Sequence, residues 1–126
     1  MRPVPPSLYR RLAPRVGVEV FCSELLDSGD RPGLVVDLAP EGIRIERPYT
    51  GGGMPREIAI ELEVPEVDEV IWARAAVCYD QLRPAPRGVH GGPFGLLRTT
   101  GLRIVAAASR DLRLLRDCVY ELSARA

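Results

Sequence analysis

The stretch EIAIELEV, residues 57–64, sets Ile58, Ile60, Leu62 and Val64 on one side of an extended chain and mostly glutamates on the other. Successive side chains of a strand point to opposite faces. This is therefore a strand with one dry and one wet face, the signature of an antiparallel sheet. The same alternation recurs along the chain. Val16, Val18, Val20 and Cys22 alternate with Gly17, Glu19, Phe21 and Ser23. LVVDL, 34–38, reads as a second strand and IRIER, 43–47, as a third with Ile43 and Ile45 inward. VIWARAAVCY, 70–79, is a long strand whose inward face the alternation does not assign, and TGLRIVA, 100–106, is a sixth. SGDRPG at 28–33 and YTGGGMP at 49–55 have turn and loop chemistry. RPAPRGVHGGPFG, 83–95, is long for a hairpin connection and reads as a mobile or interaction loop. A helix follows, with Ser109 as its expected cap and Asp111 in its first turn. Leu112, Leu115, Val119 and Leu122 fall on one side of it. Six closely spaced strands with Gly/Pro turns predict a small barrel or sandwich, and the leucine stripe needs one end or side of it as a seat.

With 126 residues, 46% hydrophobic and 27% charged, the chain has the size and composition of one globular domain. We expect a loose proline-rich tail over 1–9 and a single domain over 10–126. The formal net charge is zero, so no global field draws in nucleic acid or anionic membrane, and an anion site must be local. Every basic side chain is an arginine, because the sequence holds no lysine. Codon bias accounts for that, so only arginines in a specific spacing carry an argument. Cys22, Cys78 and Cys118 are odd in number and far apart, without a CxxC pair, and read as buried small hydrophobes rather than a metal or redox site. No apolar run is long enough to span a bilayer, and MRPVPPSLYR has no apolar segment of a signal peptide. The expected location is cytoplasmic.

Two short stretches carry chemistry. RRLAPR, 10–15, sets Arg11 and Arg15 as R-x-x-x-R just before the first strand, with Pro14 disfavouring helix at Ala13. DLAPEG, 37–42, sets Asp37, Ala39 and Gly42 as D-x-A-x-x-G where the second strand turns into the third. In an antiparallel barrel the two can share one rim. Arginine forks grip phosphate or the O6/N7 edge of guanine through paired hydrogen bonds, and their planes stack on purines. The Asp37 carboxylate accepts from the N1–H and exocyclic amine on guanine's other edge. Ala39 and Gly42 leave room for a base or phosphate to approach the backbone. Together these describe a site for a guanine nucleotide with phosphodiesters.

At this point the chain resembles a PilZ domain, the bacterial receptor module for cyclic di-GMP. The resemblance rests on RLAPR at 11–15 and DLAPEG at 37–42, with PRVGVEV, GLVVDLAPEGIRI, WARAAV and GLRI as context, and covers roughly residues 8 to 122. Neither motif is specific alone; both in order at strand boundaries are. The resemblance implies an all-β, six-stranded antiparallel split barrel with a C-terminal helix. It implies that Arg11 and Arg15 hold phosphates and guanine edges, that Asp37 reads guanine, and that Ala39 and Gly42 line the pocket. Alanine stands at the position where the family often has serine, which removes one hydroxyl contact. Arg10, just before the arginine motif, implies an intercalated ligand dimer, two molecules per chain. Segment 8–15 is expected to clamp the ligand, and its ordering to be the signal passed to a partner protein in trans.

Other classes fit less well. His90 is the only histidine and lies in a loop, which argues against a Ser-His-Asp or Cys-His enzyme. No residues are assigned to catalysis or to a metal, and no cofactor beyond the ligand is expected. Glu57, Glu61, Glu63, Glu66, Asp68 and Glu69 read as a solvated face. A nucleic-acid barrel would show a basic groove and exposed aromatics, against zero net charge and 6% aromatic residues here. An adaptor of the same fold without nucleotide binding is the main alternative, with the 83–95 loop and the helix as partner surfaces. The sequence leaves monomer and homodimer both open, and leaves Trp72 as either core or docking residue.

Overall fold

The computed structural model describes residues 16–40, 42–64 and 69–125. The tail expected over 1–9 and the arginines 10, 11 and 15 lie outside them. The strands are β1 (Val16–Leu26), β2 (Gly29–Ala39), β3 (Gly42–Pro48), β4 (Glu57–Glu63), β5 (Val70–Pro84) and β6 (Leu96–Ala107). They close into a barrel in the order β1-β2-β3-β6-β5-β4, every pairing antiparallel, with β1 bonded to β4. The barrel expectation therefore holds over the sandwich. Closure leaves no strand edge among these six.

Several boundaries move. Asp27 and Ser28 make the first turn, and Asp30–Gly33, read as turn chemistry, belong to β2. Pro32 is tolerated there because its position is exposed. β5 and β6 run further than alternation indicated, so the connection shrinks to residues 85–95. Gly92–Phe94 forms a 3-10 turn in it, and hydrogen bonds from Ala85 N–H to Gly95 O and from Leu96 N–H to Gly91 O tie it down.

The inward face of β5, unassigned from sequence, is Ile71, Ala73 and Ala75, all buried. The ambiguity had a physical cause. The register slips between Val77 and Tyr79, so Cys78 bulges out of the ladder and the residues beyond it change face. Cys78 is accordingly exposed, contrary to expectation, whereas Cys22 and Cys118 are buried. Burial pushes the Cys22 thiol up to about 12, with the nearby Glu24 carboxylate adding to the effect, so it is no nucleophile. Burial likewise raises Cys118.

The two ends of the barrel are closed differently. Helix α1 (Ser109–Arg125) leaves β6 at the end where β2 turns into β3 and packs on β5, β1 and β2. Its buried stripe is Leu115, Cys118 and Val119 with Leu114 and Leu122 beside them; Leu112, expected inward, is 42% exposed. Leu112 N–H donates to Ala108 O, so Ala108 occupies the cap position and Ser109 is the first residue inside. Asp111 faces the barrel, and its Oδ2 accepts from Trp72 N–H at 3.3 Å. Among the described residues no helix is long and apolar enough to cross a membrane.

The opposite end is closed by ions. Glu24, wholly buried, lies 2.7 Å from Arg47 Nη2 and accepts from Arg31 Nε. Arg47 Nη1 donates to Thr100 Oγ1 at 2.7 Å, and Thr100 donates to Asp80 Oδ1 at 2.8 Å. Arg98 grips both oxygens of Asp80, at 2.9 and 2.7 Å, and stacks over Tyr49. Alternation carried on from Ile43 and Ile45 puts Arg47 inward, and carried on from Val20 and Cys22 puts Glu24 inward, but it does not show that the two meet.

Candidate functional site

Asp37, Ala39 and Gly42 lie where β2 becomes β3, on the outer surface of the barrel. A bulge at Val36 sets them there. Val35 faces Ile45 and Leu38 faces Ile43 inside, while Asp37 pairs with the outward Arg44. Asp37 is 8% exposed. Its Oδ2 lies 3.6 Å from Arg44 Nη2, an ionic contact too long for a hydrogen bond. Arg44 Nε is buried without a hydrogen-bond partner among the described residues. Glycine at 42 answers a close approach: a Cβ would sit 3.0 Å from the Leu102 carbonyl oxygen of β6.

Cross-strand register extends the site beyond the motif. One row runs Gly17 (β1), Asp37 (β2), Arg44 (β3), Gly101 (β6) and Tyr79 (β5). The next runs Ala39, Gly42, Arg103 and Ala76. Gly101 has no side chain because the Tyr79 ring lies across its place; a Cβ there would collide with the ring. The result is a strip of small residues with Asp37, Arg44, Arg103 and the partly exposed Tyr79 standing around it. A flat aromatic face, two guanidinium groups and a carboxylate suit a planar base carrying phosphates.

Of the six residues expected from sequence, Asp37, Ala39 and Gly42 come together on this strip. Arg10, Arg11 and Arg15 lie outside the described residues, in the segment leading into Val16, whose cross-strand partner is Leu38. Arg44, Arg103 and Tyr79 were missed. Arg44 was within reach of the IRIER alternation, which puts it outward beside Asp37. Tyr79 was not, since its face depends on the Cys78 bulge. Among the described residues no group of His, Cys, Asp or Glu is arranged to hold a metal ion. Trp72 is outward and 46% exposed, which settles its place in favour of the surface.

No family model matches the sequence, and neither does any curated protein. Solved structures do. The inhibitor of motility MotI/DgrA of Bacillus subtilis superposes with a TM-score of 0.70 at 15% identity, over 92% of this chain and 52% of that one. This chain thus spans about half the length of MotI/DgrA. The PilZ domain of YcgR from Escherichia coli, solved with c-di-GMP, superposes with a TM-score of 0.69 at 16% identity, over 92% and 93% of the two chains. The PlzA protein of Borreliella burgdorferi in complex with c-di-GMP superposes with a TM-score of 0.60 at 6% identity, over 88% and 51%. The chain has the PilZ-like fold.

Proposed function

We propose that this chain is a non-catalytic receptor for cyclic di-GMP that acts on a partner protein in trans. Arg11 and Arg15 hold phosphates and guanine edges, Asp37 accepts from guanine, and Ala39 and Gly42 let the ligand approach the barrel wall. Arg44 and Arg103 add positive charge, and Tyr79 offers a stacking face. Arg10 extends the basic segment and favours two stacked ligands per chain. Closure of residues 10–15 over the ligand is the signal.

What supports this reading most is one coincidence. The fold is that of a domain solved with c-di-GMP, and the D-x-A-x-x-G residues sit on the barrel's outer wall beside the start of β1, directly after the arginine motif. Calorimetry with cyclic di-GMP, with GTP as control, tests it. Wild type is expected to bind, and Arg15→Ala to bind at least tenfold more weakly, about 1.4 kcal/mol. Equal binding by Arg15→Ala sinks the site. No heat from wild type at ~100 µM, well above a low-micromolar affinity, moves the reading to a nucleotide-independent adaptor of this fold.

A further inference from the structure

We propose that the outer face of β1, β4 and the start of β5 docks a cationic amphipathic helix of a partner protein. This rests on the reading that the chain acts through a partner in trans, but not on nucleotide binding. A shallow groove of about 320 Å³ runs over this face, lined by Phe21, Ser23, Pro32, Glu61, Glu63 and Val70 among others. Register explains it. Ser23 faces Glu61, which faces Trp72; Glu63 faces Val70. Phe21 is 65% exposed, Val70 48% and Trp72 46%. These three large apolar side chains gather on neighbouring strands of one outer face rather than lying scattered. Trp and Phe are also typical anchors of interfaces.

Charge chooses the occupant. Elsewhere on this side, glutamates are matched: Glu57 lies 4.0 Å from Arg74, and Glu69 lies 2.9 Å from Arg110. Glu61 and Glu63, at the groove itself, have no cationic partner among the described residues. An apolar groove edged by unpaired carboxylates complements lysines or arginines flanking an apolar stripe. A second copy is a poor occupant, because a two-fold contact sets Glu61 and Glu63 close to their own copies. Anionic lipid and nucleic acid are repelled for the same reason. Strand addition has no place to occur, since the barrel is closed. That leaves a helix with its apolar side on Phe21, Val70 and Trp72. The groove is also separate from the nucleotide strip. Phe21 lies four residues along β1 from Gly17, the cross-strand partner of Asp37, or about 13 Å at strand rise, so both faces can be filled together.

Trp72 is the only tryptophan, so its fluorescence reports this face directly. The full chain is titrated with a designed leucine/lysine amphipathic helix, with and without cyclic di-GMP. A saturable change in Trp72 emission is expected. Phe21→Ala and the double change Glu61→Lys/Glu63→Lys should each weaken it at least tenfold. The charge-matched control Asp27→Lys/Asp117→Lys, at exposed sites off the groove, should leave it unchanged. All these side chains except Phe21 are surface carboxylates, and matched urea midpoints verify folding.

A leucine/glutamate peptide that binds as well overturns the proposal. So does equal weakening by the control, or no change up to ~1 mM peptide. Sedimentation showing self-association that Phe21→Ala abolishes assigns the face to a second copy instead. Binding to anionic vesicles that Phe21→Ala abolishes assigns it to a membrane surface. Peptide binding by a chain that gives no heat with cyclic di-GMP keeps this inference and discards the nucleotide reading.

Discussion

Strand β3 carries two arginines that meet carboxylates on opposite sides of one barrel wall. Arg47 points inward, its side chain 2% exposed, against a Glu24 side chain with no exposure at all, at 2.7 Å. Arg44 points outward, 40% exposed, with Asp37 at 3.6 Å. The chemistry is the same and the environment differs. Inside, little water competes, so the ions depend on protein partners: Thr100, Arg31 and Arg98 O add contacts, while Arg47 Nε has no hydrogen-bond partner among the described residues. Burial lowers the Arg47 pKa, and the Glu24 carboxylate opposes that shift. Outside, only Arg44 reaches water, since Asp37 is 8% exposed, and the contact between them is too long for a hydrogen bond. One pair is a tight contact inside the barrel; the other is a looser contact on its outer wall.

The largest expected effect tests that contrast. Arg47→Ala leaves the Glu24 carboxylate buried with only Arg31, and should lower stability by about 3–5 kcal/mol in urea unfolding. Arg44→Ala should change stability by less than about 1 kcal/mol. Equal losses would abolish the distinction between the pairs. A smaller effect sharpens the outer side. If the strip takes a base on Tyr79, Tyr79→Ala should weaken cyclic di-GMP by about 1–3 kcal/mol, while Tyr79→Phe retains binding, both read by calorimetry. Loss in the Phe variant would mean the hydroxyl matters and the ring does not stack.

The smallest effect concerns pH at the ionic end. The Arg98 fork, ahead of the Thr100 hydroxyl, holds the Asp80 carboxyl below its ordinary 3.8. Its folded value is thus depressed relative to the unfolded one. The stability it contributes is present above the unfolded value and fades as pH falls through the folded value. Asp80→Asn should flatten the acid limb of the urea midpoint below pH ~4 and leave the slope near neutrality unchanged. An unchanged acid limb would remove Asp80 from the network's pH response.

The succession of six strands and a terminal helix along the chain, and the position of D-x-A-x-x-G, were legible because they depend on local periodicity and turn chemistry. Ile58, Ile60 and Leu62 face the core as their spacing required. Other features were not legible. Leu112 reads as part of a leucine stripe, yet only the placement of α1 on the barrel decides which leucines are covered. Asp111 takes a buried place in that stripe because a strand N–H waits there.

By itself, then, the sequence determined which segments extend, which one coils, and where the R-x-x-x-R and D-x-A-x-x-G residues stand along the chain. Those properties are set by neighbours a few residues away. Tertiary structure alone decided the rest. It closed the barrel, brought Glu24 and Arg47 into contact inside it, and slipped the ladder at Val36 and Cys78 so that Asp37 and Tyr79 face outward on one strip. It also left Phe21, Val70 and Trp72 together in solvent. The reason is that burial and register belong to pairs of strands distant in sequence, and a one-residue slip reverses every side chain beyond it.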